Sequence, residues 1–222
     1  MRNRPQLSQS LYHLPGRGRS FLLLIAALLC SHLTFSQTLI KKYNSAFGLS
    51  NNTVLRIDRD SSGFLWVGTY DGLNKFDGYD FYQYKLKASD AMGLSANYVS
   101  DFIDFGEKIY VATRNGLLAL TKSSGAISKY LIDSTADFPY INNIYRVHSN
   151  PYEKNSILVI SSAGVYTFST RSNKFTKIID DGYPKEAKEL FYFSAIQDNI
   201  NPDELWLGSI IGLVKINPAK KS

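Results

Sequence analysis

Cysteine and histidine are scarce in this 222-residue chain. Cys30 is the only cysteine, so no disulfide forms within the chain and its stability has to come from packing. His13 and His32 lie before residue 37, which leaves His148 as the only histidine in the rest of the chain. One histidine without a cysteine partner argues against a zinc site and against a Ser–His–Asp triad. We therefore expect no metal, no cofactor and no catalytic residues.

Acidic residues are missing from the first 36 positions, whose charged residues are Arg2, Arg4, Arg17 and Arg19. The whole chain has a formal net charge of +6, but beyond these four arginines it has 21 basic and 19 acidic residues, a net charge of only +2. This nearly neutral remainder lacks the basic surface that nucleic-acid binding requires. We predict no nucleic-acid partner.

No apolar run approaches the roughly 20 residues of a spanning helix. Phe21–Leu29 is a continuous apolar run of nine residues that follows a basic region and precedes the small residues Thr34 and Ser36. This arrangement is typical of a signal peptide that is cleaved before Gln37. We predict a signal peptide at 1–36 and a periplasmic or secreted domain at 37–222, without a membrane span after cleavage. An uncleaved membrane anchor and a lipoprotein modified at Cys30 are the alternatives.

What the sequence does have is an internal repeat. Four segments share it, and they contain the similar stretches LWVGTYDGL, IYVATRNGL, LVISSAGV and LWLGSIIGL. The turn glycines of the four segments are Gly72, Gly116, Gly164 and Gly212, spaced 44 to 48 residues apart. A period of about 40–50 residues with short strands is typical of β-propellers. A β-sandwich of unrelated hairpins is the alternative, and it would not repeat in this way.

The first repeat predicts four strands. Turn residues at Asp60–Gly63 and Tyr70–Gly72 separate the first three. The predicted strands are Thr53–Arg59, Phe64–Thr69, Leu73–Asp77 and Asp80–Tyr84. We therefore predict an all-β fold, a β-propeller of four blades with four antiparallel strands each.

The closure of this propeller depends on its ends. The fourth repeat stops after a third strand, Leu213–Asn217. Propellers often hide their edges by completing the last blade with an N-terminal strand, and Leu39–Lys42 would supply it. The alternative is an open arc of a larger propeller, which would expose apolar faces at both ends. Such an arc would associate into a homo-oligomer or with another propeller fragment.

The segment GLSNNTVLRIDRDSSGFLWVGTYDGLNKFDG resembles the two-component regulator propeller repeat. The second repeat keeps Asn97 and Val99 of that pattern, and the fourth keeps Leu205–Gly208. The resemblance covers roughly residues 38–217 and implies the periplasmic sensor region of hybrid two-component histidine kinases, where such propellers look like oligosaccharide sensors. Those proteins continue into a membrane span, a kinase and a regulator, which this sequence lacks. A truncated sensor, a standalone binding module and the first part of a split gene are the alternatives.

One candidate ligand site follows from the blade pattern. If the first strand is innermost, the turn between the second and third strands lies on the same face as the linker between blades. This places together the side chains of Tyr70, Asp71, Arg114, Asn115, Asn51, Asn52 and Asn97. Aromatic, charged and amide groups of this kind suit the hydroxyls of a carbohydrate. Ordinary loop polarity is the alternative.

Two further patterns have a structural interpretation that we favour. Asp58, Asp60 and Ser62 superficially match a calcium loop, but Thr69 stands where the loop needs a bidentate Glu, so we predict a hairpin turn. Trp66 and Trp206 hold equivalent repeat positions, and we predict that they pack between blades instead of forming sugar platforms. We predict that His148, on an inner strand, is a hydrogen-bonded core or pore residue instead of a metal ligand.

Together these patterns predict a binding module that is not an enzyme. It resembles the ligand-sensing input domain of a hybrid sensor kinase, with an oligosaccharide or a partner protein as its ligand. Kinase activity would require that the chain be a fragment of a longer kinase. The alternative is a structural or protein-interaction propeller fragment that assembles with another chain. A propeller lyase or hydrolase is a third hypothesis, and no sequence motif pairs the carboxylates that glycoside hydrolysis needs.

Overall fold

The computed structural model describes residues 39–85, 97–135, 139–178, 192–198, 200–210 and 212–217. The chain divides into two compact units, Met1–Lys42 and Tyr43–Ser222, and all the strands described belong to the second. The predicted signal peptide at 1–36 lies outside the described residues. Among the residues that are described, no helix has the length and apolar character needed to cross a membrane.

The described residues form four antiparallel sheets and two short 3-10 helices, Ser45–Phe47 and Pro139–Asn142. In each sheet the strands pair in chain order. The first sheet contains β1 (Val54–Arg59), β2 (Leu65–Thr69), β3 (Gly72–Phe76) and β4 (Phe81–Tyr84). The second contains β5 (Val99–Phe105), β6 (Lys108–Thr113), β7 (Gly116–Thr121) and β8 (Ile127–Tyr130). The third contains β9 (Ile144–Ser149), β10 (Ser156–Ser161), β11 (Gly164–Ser169) and β12 (Lys174–Lys177), and the fourth contains β13 (Tyr192–Gln197), β14 (Leu205–Ser209) and β15 (Gly212–Ile216).

These sheets are the blades of a propeller, and the all-β prediction is confirmed. The four strands predicted for the first repeat match β1–β4 to within one residue at each end. The sheets contact each other in chain order, and the strands β1, β5, β9 and β13 meet their counterparts in the next sheet. This is the radial packing of propeller blades around an inner set of first strands.

The turn between the second and third strands has the same two hydrogen bonds in the first three blades, and the Ser209 hydroxyl repeats the first of them in the fourth. In the first blade the Thr69 hydroxyl donates to the Gly72 carbonyl at 2.9 Å and accepts from the Asp71 amide at 3.1 Å. Thr113 and Ser161 repeat both bonds in the next two blades. The turn glycines have φ between 103° and 124°, where a residue with a Cβ is strained. The repeated glycine is therefore a backbone requirement of this turn.

A β-bulge interrupts the first strand of every blade at the same place. One residue is skipped where β1 pairs with β2, since Val54 pairs with Thr69 and Arg56 with Gly68. The skipped residues of the first three blades are Leu55, Ser100 and Tyr145. A bulge redirects the side chain of its extra residue, so these three side chains leave the alternating pattern of their strands.

Apolar side chains fill each space between consecutive blades. Trp66 and Leu73 of the first blade pack on Val99 and Phe102 of the second. Tyr110 of the second blade and Phe168 of the third pack in the next space, with ring centroids 5.8 Å apart. The third space is filled by aliphatic side chains: Leu158, Ile160, Val165, Leu205 and Leu207. These layers are the hydrophobic core, and they fix each blade against its neighbour.

The predicted closure by an N-terminal strand is wrong. Leu39–Lys42 form no strand, and the fourth sheet has three strands among the described residues. The chain that follows packs against the first blade instead. Tyr43 packs against Phe76 and Phe81 with ring centroids 5.1 Å and 5.9 Å apart. A 3-10 helix at Ser45–Phe47 then turns the chain towards β1.

The two ends of this arc are exposed. All six residues of β1 are exposed, and Ile57 is 56% accessible, whereas β5 has no exposed residue and β9 has only two, Arg146 and Ser149. At the other end Leu213 of β15 is 70% accessible and Ile196 of β13 is 65% accessible. No contact between the described strands of the first and fourth blades is as extensive as those between neighbouring blades. The described residues therefore form an open four-blade arc.

Candidate functional site

The turns between second and third strands lie beside the linkers that enter each blade, as the strand order predicted. The Tyr70 amide donates to the Thr53 carbonyl at 3.2 Å in the first blade. The Ser162 amide donates to the Asn143 carbonyl at 3.0 Å in the third. Polar and aromatic side chains from turns and linkers therefore share one face of the arc.

A pocket of about 290 Å³ opens among the first three blades. We call it the bulge pocket, because the three bulge residues contribute to its wall. Its lining residues are Leu55, Tyr98, Ser100, Arg114, Asn143, Tyr145 and Arg146. Its volume is close to the lower end of the ~300–1,000 Å³ typical of ligand pockets. Bulges commonly occur beside functional sites because they redirect side chains, as they do here.

Tyr98 joins two of the predicted site residues to this pocket. Its ring lies 4.9 Å from the Tyr70 ring, and the Arg114 guanidinium lies 3.9 Å from its centroid. A guanidinium over an aromatic face is held by a cation–π attraction. Arg114 extends from the β6–β7 turn, whose backbone is fixed by the Thr113 hydroxyl. The arginine is therefore positioned by its turn and by Tyr98 together.

Arg146 on β9 supplies a second guanidinium. Its Nη1 donates to the Ser100 carbonyl at 3.2 Å and to the Tyr145 carbonyl at 3.0 Å. The buried Asp101 lies nearby, where it accepts from the Val147 amide at 3.2 Å and pairs with Arg56 at 3.3 Å. Burial raises the pKa of Asp101, and the Val147 amide and the charges of Arg56 and Arg146 oppose that rise.

Tyr145 and Asn143 complete the polar part of the wall. Burial raises the pKa of the Tyr145 hydroxyl, against the lowering effects of the Arg114 charge and a hydrogen bond from the Asn143 side chain. The Oδ1 atom of Asn143 is buried and has no hydrogen-bond partner within the described part of the chain. A buried acceptor without a hydrogen bond destabilises the folded protein, and a donor bonded to it would remove this cost.

The structure brings only Tyr70 and Arg114 of the seven predicted residues together around Tyr98. Asp71 is paired with Lys85 at 2.6 Å. The other four serve turns or the space between blades. They are Asn51 and Asn52, which accept from the amides of Thr53 and Ser45, Asn115, which is buried, and Asn97, which lines a small apolar cavity between the first two blades.

Sequence reasoning missed Tyr98, Asn143, Tyr145 and Arg146. Tyr98 and Asn143 lie in the linkers just before β5 and β9, and Tyr145 lies at the start of β9. The predicted strand pattern gave no reason to expect site residues at these positions. The adjacent Tyr145 and Arg146 did carry one signal, since an arginine beside an aromatic residue in an inner strand is unusual for a core position.

The hairpin interpretation of Asp60 is supported by its hydrogen bonds. Oδ1 accepts from the amides of Ser62 and Phe64 at 2.9 Å, and Oδ2 accepts from Trp66 Nε1 at 2.8 Å. All these donors are N–H groups of the hairpin, so the carboxylate fixes the turn. Trp66 is 1% accessible and belongs to the core, as predicted.

The fourth blade repeats this arrangement with Asp198 and Trp206. Asp198 Oδ2 accepts from Trp206 Nε1 at 2.9 Å, and its Oδ1 accepts from the Ile200 and Asn201 amides. Trp206, however, is only half-buried, because no described blade covers its far side. The equivalent tryptophans therefore differ in environment although their hydrogen bonds agree.

His148 lies on the inner strand β9, but it does not have the hydrogen bond predicted for it. Its Nε2 atom is buried without a partner among the residues described. Burial lowers the pKa of His148, the charge of Asp101 raises it, and the charges of Arg146 and Arg56 lower it. Across the described ranges no group of three His, Cys, Asp or Glu side chains could hold a metal ion.

Comparison with known proteins identifies the repeat. Residues 48–71 match the family model described as two component regulator propeller. The chain carries a two component regulator propeller repeat. The matched residues cover the linker, β1 and β2 of the first blade, including the Asp60–Trp66 pair. The motif is thus built from residues that shape the blade, and none of its side chains lines the bulge pocket except Leu55.

Three individual proteins are similar to this chain in sequence or in structure. Histidine kinase P4 of Formosa agariphila is 43% identical over 60 residues, which are 27% of this chain and 4% of that protein. The extracellular domain of a protein assigned as a hybrid two component system of B. thetaiotaomicron is 26% identical, with a TM-score of 0.65 over 84% of this chain and 26% of that one. The WD40 domain of Neurospora crassa Pan2 shares the fold, with a TM-score of 0.53 at 11% identity over 77% of this chain and 48% of that one.

The chain therefore resembles extracellular sensor domains of two-component systems. It spans about a quarter of the length of the solved extracellular domain and a much smaller share of the histidine kinase.

Proposed function

We propose that this chain is a periplasmic or secreted ligand-binding module of the sensor type, and that it binds an oligosaccharide in the bulge pocket. The observation that carries the proposal is the pocket itself. Side chains from three blades line it, and the second and third blades supply its aromatic rings and polar groups, in a chain that resembles an extracellular sensor domain. Tyr145 offers an apolar face to a sugar ring, and Asn143 and the arginines offer hydrogen bonds to hydroxyls.

The proposal includes export and a role in signalling. The leader at 1–36 would be removed before Gln37, and the folded module would act as the input part of a two-component sensor. It would carry no catalytic activity of its own. The mass of the protein recovered from the periplasm tests the export step, with a chain that starts at Gln37 as the expected product and an uncleaved chain as the contrary result.

Binding is tested by a thermal-shift screen against an oligosaccharide panel. A ligand that binds the native state raises its apparent stability, by about 5–10 °C in Tm at 100 times Kd for a domain of this size. We expect Tyr98→Ala to lose the shift and Tyr79→Ala to keep it, because Tyr79 is exposed on the β3–β4 turn, away from the pocket. The absence of any shift across the panel would contradict oligosaccharide binding.

A second candidate function is assembly with another chain, and the exposed ends of the arc favour it. Val54 and Ile57 hold the same pairing positions in β1 that Val99 and Phe102 hold in β5. Val99 and Phe102 are buried against the first blade, next to Gly68 and Trp66. The fourth blade repeats these partners as Gly208 and Trp206.

A second copy of the chain is therefore a fitting partner. The first blade of one copy would pack on the fourth blade of the other in the way that the second blade packs on the first. Light scattering over a range of concentrations tests this, with a mass that rises with concentration as the expected result. A constant monomer mass would contradict it.

A further inference from the structure

The bulge pocket is positively charged. Arg114 and Arg146 both line it, and neither forms an ion pair with any residue that the structure describes. Arg56 is close by and has two carboxylates around it, Asp58 at 2.7 Å and the buried Asp101 at 3.3 Å. Three guanidiniums thus face two carboxylates, and both carboxylates are engaged by Arg56.

Both pocket arginines are held before any ligand arrives. Arg114 lies over the Tyr98 ring, and Arg146 uses Nη1 for two backbone carbonyls. The remaining N–H groups of each guanidinium have no hydrogen-bond partner among the described residues. A planar guanidinium with free donors matches the oxygens of a carboxylate or a sulfate, and fixing it in advance lowers the entropic cost of binding.

The other groups of the pocket suit a sugar more than a free inorganic anion. Tyr145 provides aromatic surface, and the Asn143 side chain lines the pocket beside it. The single hydrogen of the Ser100 hydroxyl points at the carbonyls of Ile144 at 2.6 Å and Ala112 at 3.1 Å, so this hydroxyl can accept from a ligand but not donate to it. The pocket therefore combines a strong anion preference with neutral polar groups and one aromatic face.

We infer that the bulge pocket selects acidic oligosaccharides, whose uronate carboxylate or sulfate ester is bound by Arg114 and Arg146. This inference rests on the proposed function and specifies its ligand. The sugar ring would lie against Tyr145, beside the Arg114–Tyr98 pair. Charge-assisted hydrogen bonds of this kind are about twice as strong as neutral ones, so the acidic group dominates selectivity.

Calorimetric titration of the full chain with matched probes tests the inference. The probes are an oligogalacturonate, its methyl ester, which keeps the same skeleton without charge, and a carrageenan oligosaccharide with sulfate groups. We expect at least one acidic probe to bind more than about 10-fold tighter than the methyl ester. The probe that binds identifies carboxylate or sulfate as the preferred group. Its affinity should fall as salt is raised, because the arginines are partly exposed to solvent.

Variants connect this selectivity to the two arginines. Arg114→Gln and Arg146→Gln should each weaken the acidic probe by about 10-fold to 100-fold without weakening the methyl ester to the same degree. Arg114→Lys should recover part of the affinity, because it keeps the charge but loses the planar fork. Arg171→Gln, on the exposed β11–β12 turn, is the control and should bind as the unmodified protein does. Melting curves show whether each variant is folded.

The outcomes separate the two proposals. Equal binding of the acidic probes and the methyl ester, unchanged in both glutamine variants, would overturn the inference and leave oligosaccharide binding intact. Failure of the folded protein to bind any of the probes or any sugar of the thermal-shift panel would overturn both.

Discussion

At the scale of single residues, the buried Asp60 and the half-buried His148 are polar side chains with opposite environments. Asp60 satisfies three N–H donors of its own hairpin and is paired with Trp66. Its partners lie within six residues along the chain, so the local motif is sufficient to build them. His148 depends on groups from other strands and from the neighbouring blade, and its buried Nε2 has no partner among the described residues.

His148 should make the stability of the protein depend on pH. Because its folded-state pKa is lowered by burial, the unfolded chain binds the proton more readily. The native state should therefore lose stability as the pH falls below about 6.5, the ordinary value for histidine. We expect the loss in free energy of unfolding between about pH 7 and pH 5.5 to be smaller in His148→Gln.

Urea unfolding at several pH values measures this difference. Asp101 faces the same region and titrates in both proteins, so the comparison between them isolates the histidine. An identical pH dependence in His148→Gln and the unmodified protein would show that the imidazole is equally easy to protonate in the folded and unfolded states.

At the scale of elements, the turn between the second and third strands keeps its hydrogen bonds from blade to blade, but the atoms packed around it differ. A Cβ added at Gly116 would come within 2.6 Å of the Tyr130 carbonyl oxygen and 2.9 Å of Leu131 Cδ2. At Gly212 no described atom lies within 4 Å of the same position. Both glycines have positive φ, 103° and 121°.

Alanine at the two positions should therefore have unequal effects. Gly212→Ala should cost about 1–2 kcal/mol of stability, from backbone strain alone. Gly116→Ala should cost more, because the methyl group also displaces backbone of β8. Urea denaturation midpoints of both variants measure this. Equal midpoints would contradict this prediction, because they would mean that the backbone around Tyr130 moves aside without loss of stability.

Some of these elements could be predicted from the sequence and others could not. The strand limits of the first blade were predictable to within one residue, because turn residues such as Asp60 and Gly72 mark them in the sequence. That Tyr70 and Arg114 lie close together was predictable for the same reason, since they sit in those turns, and both contact Tyr98. The interpretation of Leu39–Lys42 as a strand failed because it rested on the strand that the fourth repeat lacks, which does not determine where Tyr43 packs.

The bulges were outside the reach of sequence reasoning. A bulge is a mismatch of register between two paired strands, so neither strand encodes it alone. Leu55, Ser100 and Tyr145 are of three chemical kinds and share no sequence signature. The pocket that they line, together with Tyr98 and Arg146, therefore became visible only when the strands were paired.

At the scale of the whole molecule, the two ends of the described arc should associate through different surfaces. Ile57 marks the end at the first blade and Leu213 the end at the fourth. Ile57→Glu and Leu213→Glu should each abolish a concentration-dependent rise in mass, because each places a charge in an apolar contact. Ile200→Glu, in the exposed β13–β14 turn, should leave the rise unchanged.

Mixing the two defective variants gives a sharper result. Each retains the end that the other has lost, so an equimolar mixture should form a one-to-one complex when measured by light scattering. A contact between identical ends would leave one of the two variants able to associate on its own. That outcome, or a mixture that stays monomeric when both single variants are monomeric, would contradict the first-to-fourth-blade arrangement.

The bulge of the first strands separates the framework of this protein from its recognition surface. Each of the first three blades places one side chain at the pocket that does not belong to the alternating strand pattern. Leu55 and Tyr145 could therefore be exchanged together without repacking the sheets, whereas the Ser100 hydroxyl bonds the Ile144 carbonyl of the next blade and should be kept. A small combinatorial library at Leu55 and Tyr145 would vary ligand preference on a constant scaffold, and natural relatives could diversify their specificity by the same route.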